Sequence, residues 1–268
     1  MSTDPPDRPA GPSLRSVALP TEHGGWGFTI EPALLGFLVG FSPAGIALGA
    51  VGLLAFLART PLKLALVDRW RHRRLPRTVL AERVAALELV ALGGLLAFAA
   101  ATAPGRFWVP LVLAAPLVVL ELWFDMRSRS RRLLPELAGA IGIGSVGAAI
   151  VLADGRSARL AAGLWAVVAA RAVASVPFVR VQLLRFKARP HRVAGSDVAQ
   201  VAAVLLAGVG LVVDERLAVG FVAIVVLGAF HLVAVRRPAP PAPVLGITEQ
   251  VLGLALVVAT AAGVIIGS

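Results

Sequence analysis

Nine side chains in this sequence combine chemical capacity with a costly position: Glu22, His23, Glu31, Arg59, Lys63, Asp68, Glu136, Arg171 and Arg180. Each falls inside or at the border of a long apolar run. At the centre of a bilayer a charge costs roughly 2.5–3.5 kcal/mol even on a lenient scale, so such residues have a reason to be there. Guanidinium and ammonium groups clamp phosphate and carboxylate oxygens. Carboxylates orient those bases or act as a general base. The set suits the binding of an anion at membrane depth. Glu82, Glu88, Glu121, Asp125, His231, Glu249 and Gln250 share the same kind of placement. Two arrangements would accommodate these charges. In one, they ring a single polar cavity open to the cytoplasm. In the other, they form separate pairs, such as Glu22 with Arg59 or Glu136 with Arg171, that hold a bundle together. The shared cavity is the expectation for the whole set, because independent pairs need not all choose one leaflet.

Other chemistries are excluded or unsupported. The chain has no cysteine, so disulfides, thiolate nucleophiles and Cys-ligated metals are ruled out. His23 and His231 are too few and too far apart in sequence to read as a metal site. The net charge of +11 would suggest nucleic acid in a soluble protein. Here the basic residues stand between apolar spans, where they act as topology signals and headgroup contacts, and no nucleic-acid partner is expected.

The elements that position these residues are membrane helices. Of the 268 residues, 58% are hydrophobic and only 15% charged, and the mean hydropathy is +0.85. That composition predicts an all-α, polytopic helix bundle. About twenty helical residues cross the hydrocarbon core. On that measure nine spans are expected, near residues 25–41, 44–65, 79–101, 107–124, 133–153, 160–179, 196–213, 217–235 and 244–266. The loops after every even-numbered span are basic. Arg69, Arg71, Arg73, Arg74 and Arg77 follow the second, Arg127, Arg129, Arg131 and Arg132 the fourth, and Arg185, Lys187, Arg189 and Arg192 the sixth. Positive loops stay in the cytoplasm, which places the N-terminus inside and the C-terminus outside. The expected location is a cell membrane, as a multi-pass protein. Residues 1–18 are polar and proline-rich and are expected to be a disordered cytoplasmic tail. Residues 19–268 form the transmembrane domain. Gly139, Gly142, Gly144 and Gly147 in the fifth span predict close helix packing.

The transmembrane part carries a faint internal likeness. LPTEHGG at 19–25 parallels LPELAGA at 134–140, and Ala58-Arg59 with Asp68 parallels Ala170-Arg171 with Arg180. This suggests a repeat of 19–125 as 133–235, followed by a ninth helix at 244–266.

Four stretches, LPTEHGGWGFTIEP, RTPLKLALVDRWRHRR, RSRRLLPELAGA and RAVASVPFVR, closely resemble the YwiC-like family of bacterial membrane proteins. That family implies a multi-pass location in the bacterial inner (plasma) membrane but no defined chemistry. The threading also resembles, more distantly, the UbiA superfamily of intramembrane prenyltransferases. In that family nine helices carry cytoplasmic catalytic loops after the second and sixth. VDRWRHRRLPR at 67–77 is similar to the first aspartate motif, with Asp68 at one acidic position. The second motif is expected near 179–189, but VRVQLLRFKAR holds no acid. Mg²⁺ needs carboxylate and phosphate oxygens, so no Mg²⁺ site and no other cofactor is expected.

The expected protein is a membrane protein whose cytoplasm-facing basic cavity binds an amphiphilic, prenyl- or lipid-like anion. Membrane lipids are its expected partners. It would be a divergent UbiA-like transferase without the aspartate-rich motifs, or a binding protein. The alternatives are a small-anion transporter and a non-catalytic accessory subunit.

Overall fold

The computed structural model describes residues 13–20, 25–127, 129 and 132–267. Its ten α-helices are α1 (Leu14–Ala18), α2 (Gly25–Val39), α3 (Pro43–Trp70), α4 (Pro76–Thr102), α5 (Trp108–Met126), α6 (Leu133–Ala153), α7 (Ala158–Phe186), α8 (Ala194–Val213), α9 (Ala218–Ala234) and α10 (Ala242–Ile266). A 3₁₀ turn, Glu215–Leu217, leads into α9. The nine expected spans correspond to α2–α10. Among the described residues, eight helices (α3–α10, with α9 counted from Glu215) are long and apolar enough to cross a membrane. This is a multi-pass integral membrane protein. The ninth, α2, has 15 residues and reaches about 22 Å at 1.5 Å per residue.

Part of the expected tail is ordered. Ser13 caps α1 by accepting from the Ser16 amide, and Val17 is buried against Ala65 and Ala81. Burying that one apolar side chain between α3 and α4 is what structures Leu14–Ala18. Residues 1–12 lie outside the described part, as do Glu22 and His23.

α6 and α7 form the centre and the other helices surround them. Most of α7 and α6 is buried, whereas α4 and α5 are largely exposed along their lengths. The main core joins Leu35 and Val39 of α2, Val151 of α6, Leu164 and Val167 of α7, Ala203 of α8, Ile224 of α9 and Val257 of α10. A smaller core joins Leu48 of α3, Ala99 of α4 and Ile150 of α6. The glycines of α6 allow the closest approaches. A methyl group on Gly147 would run into the main-chain carbonyl of Pro32, so α2 crosses α6 at backbone distance there.

α3 and α7 are built alike. Each starts from a serine cap, Ser42 accepting from the Gly45 amide and Ser157 from the Leu160 amide. Pro61 and Pro177 each lie nine residues before the end of their helix. Each helix closes with a left-handed residue, His72 (φ 52°) and Ala188 (φ 49°). At both ends an amide reaches back to a carbonyl five residues earlier, Arg73 to Asp68 and Arg189 to Leu184, each at 2.9 Å.

Candidate functional site

The deepest charges meet where α2, α7, α9 and α10 converge. Arg171 stands midway along α7. Its Nη1 donates to Glu249 Oε2 at 3.0 Å and to Ser175 Oγ, and its Nη2 donates to the Glu249 main-chain oxygen at 2.6 Å. Nη2 also lies 3.5 Å from Glu31 Oε1. The guanidinium carbon sits 5.4 Å from the Phe28 ring centre. On the far side of Glu249, Oε1 is 2.9 Å from His231 Nε2. The His231 ring stacks on Phe178 at 4.0 Å and 12°. Its Nδ1 is 3.2 Å from Gln200 Oε1. Arg171 is 2% exposed, Glu31 3%, Glu249 7% and His231 0%. Arg171 Nε and Ser196 Oγ are buried with no hydrogen-bond partner among the described residues. Gly253 makes the approach of Glu31 possible, because a Cβ there would occupy the space of the Glu31 carboxylate.

A second group links α3 to α5. Arg59 Nε is 3.0 Å from Asp125 Oδ2 and its Nη1 is 2.9 Å from Glu121 Oε1. Lys63 Nζ is 3.4 Å from Asp125 Oδ1. Asp125 is fully buried, so both bases are needed to hold its charge. Gly139 of α6 leaves room for the Glu121 carboxylate.

Glu136 pairs with Arg180 at 2.7 Å. The Glu136–Arg171 pair considered from the sequence does not form, because Arg171 is taken by Glu249 and Glu31. Asp68 is tied to Arg77 and to the Thr78 hydroxyl, the latter at 2.7 Å.

The sequence-derived site residues thus fall into four groups: Glu31 with Arg171, Arg59 with Lys63, Glu136 with Arg180, and Asp68 by itself among the nine. His231 and Glu249 stand out in the sequence by depth but receive no role there, and Gln200 is not singled out at all. Its signal is a lone amide in the apolar run VAQVAAVLLAG.

The loop between α3 and α4 carries a hollow of about 330 Å³ lined by Arg69, His72, Arg73, Arg74, Thr78 and Glu82. Arg69 pairs with Glu82 at 2.7 Å. Trp70, the next residue after Arg69, is 57% exposed. Among the described residues, no three His, Asp or Glu side chains gather in a way that would hold a metal ion.

Residues 19–151 match a family model described as YwiC-like protein. That segment, just under half of the chain, is similar to the YwiC-like family. The match runs from just before α2 into the last turn of α6. It includes Arg59, Lys63, Asp68 and Glu136, together with Glu31, but not Arg171, His231 or Glu249. No curated protein and no solved structure matches the chain. Among the described residues, the matched segment therefore supplies one carboxylate, Glu31, to the deepest cluster.

Proposed function

We propose that this integral membrane protein binds the phosphate-bearing head of an anionic amphiphile, a lipid or prenyl-type molecule, at the α3–α4 loop. In this reading the basic loops face the bacterial cytoplasm and the bilayer is the plasma membrane, as the loop charges direct. The observation that carries the reading is the basic hollow itself. Arg73 and Arg74 project there with no carboxylate partner among the described residues. Trp70, adjacent to Arg69 in the chain, is exposed as an interfacial anchor is, and the exposed apolar side chains of α4, such as Leu87 and Val90, offer a path for a hydrocarbon tail. The bases first considered for this role are engaged elsewhere. Arg59, Arg171 and Arg180 each face carboxylates of the chain itself.

Binding without catalysis is the form favoured. Asp68 is the one acid at the position of the UbiA-type first motif, and its oxygens are occupied by Arg77 and Thr78. A second reading, a structural subunit of a membrane assembly, draws support from the same internal pairing of charges.

Native mass spectrometry of the purified full chain with phosphatidylglycerol, and separately with inorganic phosphate, tests the proposal. A basic residue near an anionic surface contributes about 1 kcal/mol. Arg73→Ala with Arg74→Ala should therefore weaken lipid retention roughly thirtyfold. An Arg236→Ala control, altered at the α9–α10 link, should leave it unchanged. Retention of the lipid but not of phosphate assigns an amphiphile; retention of both assigns a phosphate site. Equal lipid retention by the double variant and the parent overturns the proposal.

A further inference from the structure

We infer that the pair His231–Glu249 holds one bound proton inside the membrane domain. The tautomer of His231 is set by Gln200. Its side-chain nitrogen donates to two carbonyls, Ala174 at 2.9 Å and Ser196 at 3.2 Å. That fixes which end of the amide is nitrogen. Its oxygen therefore faces His231 Nδ1, and an oxygen acceptor requires that Nδ1 carry a hydrogen. The other ring nitrogen, Nε2, lies 2.9 Å from Glu249 Oε1. A bare imidazole nitrogen and a carboxylate are both acceptors, and they do not approach at that distance unless a proton lies between them. The proton rests either on Nε2, as imidazolium beside carboxylate, or on Glu249, as carboxylic acid beside the neutral Nδ1–H imidazole. In both forms the pair binds one proton more than a neutral histidine with an ionised glutamate.

The surrounding charges agree. Glu31 faces the cluster from α2, and Arg171 from α7. Gln200 of α8 is neutral, and Asp197 of that helix turns to Arg236 at the surface. Glu31, Glu249 and Arg171 sum to one negative charge. The extra proton brings the group to zero, which is the state that a buried, poorly solvated site favours. Phe178 covers one face of the imidazole. The site is thus a proton-binding centre made by α7, α8, α9 and α10. Release of its proton leaves a net negative charge in the bundle, which draws in a cation or opens the site to water.

The test is nitrogen NMR of the full chain, with ¹⁵N-labelled histidine, in lipid nanodiscs at neutral pH. His231→Phe assigns the signal among the four histidines. Infrared spectroscopy of the same sample reads the protonated-carboxyl stretch. Two results support the proposal: both His231 nitrogens protonated, or the neutral Nδ1–H form together with a protonated-carboxyl band lost in Glu249→Gln. In the first case Glu249→Gln should leave Nε2 without its proton. Two results overturn it: the neutral Nε2–H form, or the neutral Nδ1–H form with no carboxyl band assignable to Glu249. The decisive spectra come from the unaltered protein, so misfolding of a variant does not spare the idea.

Discussion

Removing the guanidinium of Arg171 strands two buried carboxylates. In Arg171→Met the long side chain still fills the gap between α2, α7 and α10, but two carboxylates lose their cation. Glu249 Oε2 loses a donor at 3.0 Å, the Glu249 carbonyl one at 2.6 Å, and Glu31 Oε1 its cation at 3.5 Å. Both carboxylates are over nine-tenths buried, so water does not replace what is lost. Taking away one partner of a buried ion pair costs about 3–5 kcal/mol. That shifts the unfolding equilibrium by a factor of about 100 or more. The assay is equilibrium unfolding in mixed micelles titrated with sodium dodecyl sulfate, followed by tryptophan fluorescence. Trp165 on α7 is a suitable reporter, since its ring nitrogen donates to the Ile141 carbonyl of α6 at 2.9 Å. Adding Glu31→Gln and Glu249→Gln to Arg171→Met removes the stranded charges and should recover most of the loss, because neutral replacements of a whole buried ionic group are tolerated. The account fails if the single variant stays within about 1 kcal/mol of the parent, less than any such charge removal costs. It fails equally if the triple variant is no more stable than the single one.

Two further outcomes are expected. Gly253→Ala places a methyl group in the space of the Glu31 carboxylate. It should cost about 1–3 kcal/mol in the same unfolding assay, as overpacking does, and much less when Glu31→Ala is also present; equal losses in both backgrounds would count against the contact. At the opposite end of the bundle, the Asp214 carboxyl is held below the ordinary carboxylate range, chiefly by its hydrogen bond from the Arg216 side chain. A depressed folded-state value stabilises the fold above the unfolded value, and that stabilisation disappears as pH falls through the folded one. Asp214→Asn should therefore be less stable than the parent near neutrality and equal to it in strong acid; a difference independent of pH would refute this.

The helices were legible in the order of the amino acids. Each apolar run needs its backbone hydrogen bonds satisfied internally, so length and hydropathy alone place α2 to α10 to within a few residues over most of their ends. The exceptions are α3 and α7, whose polar last turns run on past the apolar stretch to Trp70 and Phe186. The depth of the charges was equally legible, since a glutamate or arginine in an oily run is conspicuous. Who pairs with whom was not. Arg171 and Glu249 are 78 residues apart and belong to helices with no sequence relation. Only the packing of α10 and α2 against α7 decides that Glu249 and Glu31, rather than Glu136, reach the guanidinium. Gln200 shows the same limit more sharply. An amide gains a role only when a neighbouring helix brings a ring nitrogen to its oxygen, and that distance is a property of the folded bundle.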